Sequence, residues 1–395
     1  MKKALFVFIG ILLSFSLVLS VFAKEAIKSG AEPEDGYIVE SDTTPEIDVP
    51  SAILIEKVTG TVLFEKNADE ALAPASVTKT MTLLLVAEAL TDGRISIEDS
   101  VCISAYAASM GGSQVFLKEG ELFTVEELIK CTVIASANDA AVALAEHTYG
   151  SESAFVDAMN SRASELGLTA THFENVTGLD DDVTNHTMSA RDIAKISREL
   201  LQHECITKYS SVWQDSIRNG EFVLTNTNRL VRYYEGCTGL KTGSTDKAGF
   251  CVSASAKRKG TELIAVIMGA ESGSARNEAA RTLLDYGFAN YTLYRSEEET
   301  AGEIKVKGCT KGVLPITKDA FTAVIKKSDA SRVIKTVELP ESIAAPMVAG
   351  EVIGRVIYII DGEPIGASEI RLLTDAERIS FGELFLKIIT FGFCK

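Results

Sequence analysis

Pro74-Ala-Ser-Val-Thr-Lys79 runs directly into Met81-Thr-Leu-Leu-Leu-Val-Ala-Glu-Ala-Leu90, and the rest of the chain is best read around this segment. A serine just after a proline, at the mouth of a long apolar run, predicts a buried helix with Ser76 at its positively polarised end. Lys79 follows three residues later, on the same helical face. Upstream, Ser51-Ala-Ile-Leu-Ile-Glu-Lys and Thr61-Val-Leu-Phe-Glu-Lys flank Val58-Thr59-Gly60, the pattern of a β-hairpin. Downstream, helices are expected over 123–135, 139–148, 152–166 and 188–202. Strands are expected at 221–225, 237–242, 249–256 and 261–269, with a closing helix at 276–286. The expected fold class is α+β, with helices packed on an antiparallel sheet. This catalytic unit should span residues 50–294.

The pattern changes beyond Tyr294. Short alternating runs such as Glu303-Ile-Lys-Val-Lys and Val352-Ile-Gly-Arg-Val-Ile-Tyr-Ile-Ile lie between Gly, Pro and Asp turns, predicting a small all-β domain over 295–373. In the tail, 374–395, Phe381, Leu384, Phe385 and Ile388 follow helical spacing, with Glu383 and Lys387 opposite. Such a helix is too short to span a ~30 Å hydrocarbon core, so a membrane-surface anchor is expected. The alternative is a terminal helix docked on the β-domain.

At the other end, Met1-Lys2-Lys3 and the apolar run Ala4–Phe22 precede Val21-Phe22-Ala23. This predicts a signal peptide over 1–23, cut after Ala23, or else an uncleaved anchor. Either reading places the body of the protein outside the cytoplasm, at the outer membrane face or cell wall. Residues 24–49, acidic and proline-bearing, read as a flexible leader. A net charge of −16 argues against nucleic acid as a partner. Seven scattered cysteines (102, 131, 205, 237, 251, 309, 394) lack the spacing of a disulfide framework and read mostly as small buried apolar residues. The four histidines show no ligand spacing, so neither a metal nor a cofactor is expected.

Two Ser-x-x-Lys matches occur, Ser76…Lys79 and Ser244…Lys247, and context separates them. Ser244 lies at a Gly-rich strand end where no helix would align its lysine. Ser76 is therefore the expected nucleophile and Lys79 its base, provided burial or a nearby cation lowers the lysine's pKa. Ser136-Ala137-Asn138 falls between two helices, where Ser136 could relay a proton and the Asn138 amide could hold substrate backbone. Lys241-Thr242-Gly243 closes a strand. Lys241 would supply positive charge, Thr242 a hydroxyl for a carboxylate, and Gly243 room for close approach. The backbone N–H groups of Ser76 and Ser244 would form an oxyanion hole.

With these three motifs in this order, the chain resembles the low-molecular-mass penicillin-binding proteins. These are serine-type D-alanyl-D-alanine carboxypeptidases, and the likeness is to their sporulation-associated branch. Leu72-Ala-Pro-Ala-Ser-Val-Thr-Lys79, Met110-Gly-Gly-Ser-Gln, Ile134-Ala-Ser-Ala-Asn-Asp-Ala-Ala and Thr177-Gly-Leu179 carry the likeness. It implies removal of the terminal D-Ala from peptidoglycan stem peptides ending in D-Ala-D-Ala, through an acyl-Ser76 intermediate. It also implies β-lactam antibiotics as covalent inhibitors, and a role for Arg276 in binding the substrate carboxylate. Thr238-Gly239 departs from the family's usual Asp-Gly. The alternatives are a serine β-lactamase, for which Glu174 would be the candidate deacylation base, a DD-endopeptidase, and a non-catalytic cell-wall scaffold.

Overall fold

The computed structural model describes residues 44–181 and 183–392. The expected signal segment, most of the expected leader, and Cys394 lie outside the described residues. Within that leader, Val49 is buried and the Ile47 carbonyl accepts from Lys66 Nζ at 3.0 Å.

Strands β1 (Ser51–Glu56), β2 (Val62–Lys66), β3 (Cys237–Thr245), β4 (Gly249–Arg258) and β5 (Thr261–Ala270) form one sheet in the order β2-β1-β5-β4-β3. Every neighbouring pair is antiparallel. Side chains alternate across a strand, so β1 serves two cores. Ile53 and Ile55 face a helical block, whereas Ala52 and Leu54 face the opposite side with Leu283 and Leu284.

The helical block is built around α1 (Lys79–Thr91), in which Met81, Leu83, Leu84, Leu85, Val86, Ala87 and Ala89 are all buried. A helix apolar on every side must be surrounded. Its neighbours are α2 (Val125–Ile134), α3 (Asn138–Tyr149), α4 (Glu152–Glu165) and α5 (Ala190–Leu200). Thr124 and Glu127 form a capping box at the start of α2, satisfying otherwise orphaned N–H groups.

On the far face of the sheet lies α6 (Gly273–Asn290), longer than the expected 276–286. Ser272 Oγ accepts from Ala275 N–H, so the cap sits upstream and Arg276 lies inside the first turn.

Helix α6 leads straight into β6 (Tyr291–Ser296), which spans the expected boundary at 294 and pairs with the later strand Phe321–Lys326. Beyond it come β7 (Glu299–Lys307), β8 (Val313–Lys318), β9 (Phe321–Lys326), β10 (Ile334–Glu338), β11 (Ser342–Ala344), β12 (Val352–Ile360) and β13 (Glu363–Leu372). Six of these form a sheet in the order β10-β12-β13-β8-β7-β11. Its core gathers Ile304, Leu314, Ile316, Val356, Tyr358, Ile370 and Leu372. Phe321 stacks on Tyr358 at 3.9 Å. Gly366, at φ +145°, lets the ring in, since a Cβ there would lie 2.6 Å from it.

The chain ends in α7 (Phe381–Gly392), on which Phe381, Leu384, Phe385, Leu386 and Ile388 are exposed. No helix among the described residues is long and apolar enough to cross a membrane.

Candidate active site

The turn that carries Ser76 is a short 3₁₀ segment, Ala75–Thr78, continuous with α1. Ala75 adopts a left-handed φ of 48°, which re-aims the chain between Pro74 and the helix. Lys79, fully buried, donates from Nζ to Ser76 Oγ and to the Thr177 carbonyl, both at 2.9 Å. The expected serine–lysine pair is therefore in direct contact. Lys247, the lysine of the rival motif, is exposed on a turn after β3.

Between α2 and α3 the chain turns at Ser136, at φ 61°, bringing its hydroxyl to 2.8 Å from Lys241 Nζ. Lys241 also donates to the Thr242 carbonyl at 2.8 Å. Asn138 is buried. Its amide donates to the Gly111 carbonyl and its backbone N–H to the Ser113 carbonyl, each at 2.7 Å. Its Oδ1 is buried with no hydrogen-bond partner among the described residues. An unmet buried acceptor is costly, and this one belongs to a residue of the three-motif cluster.

Gly243 is where β3 meets the Ser76 turn. A Cβ on it would lie 2.7 Å from Ser76 N and 2.9 Å from Val77 N, so only glycine permits this approach. Ser244, next in the strand, is exposed. Thr242 Oγ1 donates to Thr227 Oγ1 at 2.7 Å. Arg276, nearly buried, reaches Asn277 Oδ1 at 3.1 Å and the Cys251 carbonyl at 3.5 Å. It stands near enough to bias Lys241 electrostatically.

No carboxylate lies within ion-pair distance of Lys79 or Lys241 among the described residues. Burial holds the Lys79 amine well below its ordinary pKa, and the Lys241 charge pushes it further down, against the pull of Asp139. Burial and the Arg276 charge lower Lys241 to about 7. Desolvation also lowers Arg276, although a guanidinium stays protonated at neutral pH. The cleft thus favours a neutral amine beside Ser76 and leaves Arg276 as the lasting cation.

Several contributors were not visible in the sequence pattern. The Thr177 carbonyl, Thr227, and the Asp139 carboxylate that accepts from Val115 N–H and Leu117 N–H at 3.1 and 3.0 Å are set by tertiary contacts. Asp139 directly follows Asn138, the one signal that could have suggested it. Glu174, the candidate deacylation base, is spent elsewhere, its Oε2 accepting from the backbone of Thr184 and Asn185. Cys131 and Cys251 are buried, Cys205, Cys237 and Cys309 half-buried, and Cys102 exposed; all six are free thiols.

Residues 38–272 match the D-alanyl-D-alanine carboxypeptidase family, and 288–378 match the C-terminal domain of penicillin-binding protein 5. D-alanyl-D-alanine carboxypeptidase DacF of Bacillus subtilis (strain 168) is 42% identical over 342 residues, covering 85% of this chain and 87% of its own. Penicillin binding protein 5 from Haemophilus influenzae superposes with a TM-score of 0.77 at 31% identity, over 86% of this chain and 100% of that one. Penicillin-binding protein D2 from Listeria monocytogenes, solved in its ampicillin-bound form, gives a TM-score of 0.57 at 28% identity, over 62% of this chain and 100% of that one. The chain belongs to the D-alanyl-D-alanine carboxypeptidase family and is a serine-type carboxypeptidase with the penicillin-binding, β-lactamase-like fold.

Proposed function

We propose that the terminal D-Ala of a peptidoglycan stem is removed through an ester on Ser76, with Lys79 as the base. The observation that carries this reading is the buried Lys79 amine, without a carboxylate partner, 2.9 Å from Ser76 Oγ. Ser76 Oγ attacks the carbonyl carbon of the penultimate D-Ala while its proton passes to Lys79 Nζ. The oxyanion settles on the N–H groups of Ser76 and Ser244, worth ~2.7–4 kcal/mol per well-aimed donor. Collapse breaks the scissile C–N bond, and the proton held on Lys79 passes through the Ser136 hydroxyl, already bonded to Lys241, to the departing D-Ala amine, leaving Lys79 neutral again. Water then attacks the ester, giving a proton to Lys79, which returns it to Ser76 Oγ as the shortened stem leaves as a carboxylic acid. Asn138 Oδ1 accepts from the substrate amide. Thr242 and Arg276 receive the terminal carboxylate, for which Thr242 must turn its hydroxyl away from Thr227.

β-Lactams acylate the same serine. Intact-mass measurement with benzylpenicillin should show a one-to-one adduct mapping to the Ser76 peptide and absent from Ser76→Ala. An adduct on another residue would overturn the assignment.

The remaining readings are a division into a catalytic unit at 50–294, a β-domain at 295–373 and a tail at 374–395, with export across the cytoplasmic membrane by the 1–23 signal. The exposed apolar side chains of α7 support attachment to a membrane surface. Its twelve residues extend about 18 Å, suiting an interfacial rather than a spanning helix. Removing 376–395 should move the protein from the membrane pellet to the supernatant. Retention in the pellet would refute the anchor.

A further inference from the structure

The loop from Phe173 to His186 is tied to the helix that carries the reacting pair. Thr78 Oγ1 meets His186 Nε2 at 2.8 Å, Lys79 Nζ donates to the Thr177 carbonyl at 2.9 Å, and Thr82 Oγ1 donates to the Val176 carbonyl at 2.7 Å. Inside the loop, Asn175 Oδ1 accepts from the N–H groups of Thr177 and Gly178. This turns the Thr177 carbonyl toward the lysine. The loop's two ends meet at His186, whose Nδ1 accepts from Glu174 N–H at 3.1 Å.

An imidazole that accepts at Nδ1 must carry its proton on Nε2. His186 is therefore the donor to Thr78 and is neutral. Its ring is buried and lies edge-on to Phe173 at 5.7 Å. Burial agrees with neutrality, lowering its pKa to about 4, with Glu174 opposing and His172 and Lys247 adding to the shift. Protonation would turn a second N–H toward the Glu174 N–H and break the joint.

We infer that His186 is a positioning residue that pins the 174–186 loop to Thr78 and so holds the Thr177 carbonyl as the second partner of the Lys79 amine. With one N–H anchored on Thr177, the amine is held 2.9 Å from Ser76 Oγ, within reach of the serine's proton. Loosening the pin lets the amine rotate, and misplacements of about 1 Å cost up to ~100-fold in rate. The inference rests on the assignment of Ser76 and Lys79 above.

The test uses Thr78→Val and His186→Ala in the full chain. Thr78→Val matches the threonine in shape and removes only the acceptor. Stopped-flow acylation by a reporter β-lactam should show both variants slowed roughly ten- to a hundred-fold in the acylation rate constant, with initial β-lactam affinity within about twofold. The double variant should be little slower than His186→Ala, because both changes break one joint. Nitrogen NMR of the histidine ring should show an unprotonated Nδ1 at pH 7.

A purely structural role would instead lower the melting temperature and leave the acylation rate of the folded protein unchanged, overturning the inference. So would a doubly protonated ring at pH 7. Failure of the underlying assignment would look different, as an adduct that survives Ser76→Ala.

Discussion

Both halves of the molecule bury a lysine, and they treat it in opposite ways. In the C-terminal sheet, Lys318 is 3% exposed, and its Nζ meets Ser296 Oγ and the Glu297 carbonyl at 2.7 Å and Glu299 at 3.2 Å. A buried charge given a carboxylate and two further acceptors is a structural joint. In the cleft, Lys79 and Lys241 receive only hydroxyls and carbonyls, beside another cation. With no counter-charge, a buried amine sheds its proton. On the proposed mechanism, the absence of a carboxylate partner is what lets Lys79 serve as a base rather than a strut.

The largest effects are expected at the cleft. Ser76→Ala should lower carboxypeptidase turnover by about 10⁴-fold or more, since removing a nucleophile leaves only binding and electrostatic stabilisation. Lys79→Met should slow acylation roughly 10²–10⁴-fold while the melting temperature stays level or rises, because a desolvated amine is exchanged for an apolar chain of similar length. A clear fall in melting temperature would show that Lys79 is structural after all.

Lys318→Met should do the reverse, leaving turnover unchanged. It should destabilise the protein by about 1–3 kcal/mol by leaving the buried Ser296 hydroxyl and the part-buried Glu297 carbonyl without their ammonium donor, read by chemical denaturation. Glu299→Gln, at a side chain 63% exposed, should cost about 1 kcal/mol or less.

Lys241 offers a linked test. Its pKa falls from an unfolded value of about 10.4 to about 7 when folded, so unfolding takes up a proton between those limits. Stability therefore rises as pH climbs through that window, and Lys241→Met should flatten part of the rise.

The cleft was legible in the sequence because each motif is local. Proline, serine and an apolar helix place Ser76 and Lys79 one turn apart, and a strand-end glycine marks where β3 touches them. The central sheet was legible through its hairpin and alternating runs. What escaped was non-local. Nothing in Lys305-Val-Lys307 announces parallel pairing with Ser342-Ile-Ala344. Nor could periodicity show β6 joining the β-domain, the Thr177 carbonyl reaching Lys79, or His186 reaching Thr78 across 108 residues. Arg276 was named through likeness, and its setting inside the first turn of α6 came from the Ser272 cap. The exposed face of α7 followed from helical spacing, although Leu386, outside the expected stripe, is exposed as well.

On the proposed mechanism, Lys79 stands neutral beside Ser76 at working pH. The most direct measurement is the second-order rate constant for benzylpenicillin acylation of the wild-type protein from pH 4 to 11. A neutral Lys79 should give a rising limb centred well below pH 10, removed in Lys79→Met, and a falling limb as Lys241 loses its proton near pH 7 in the free enzyme. A rate that climbs only above pH 10, as an ordinary lysine would dictate, would contradict it.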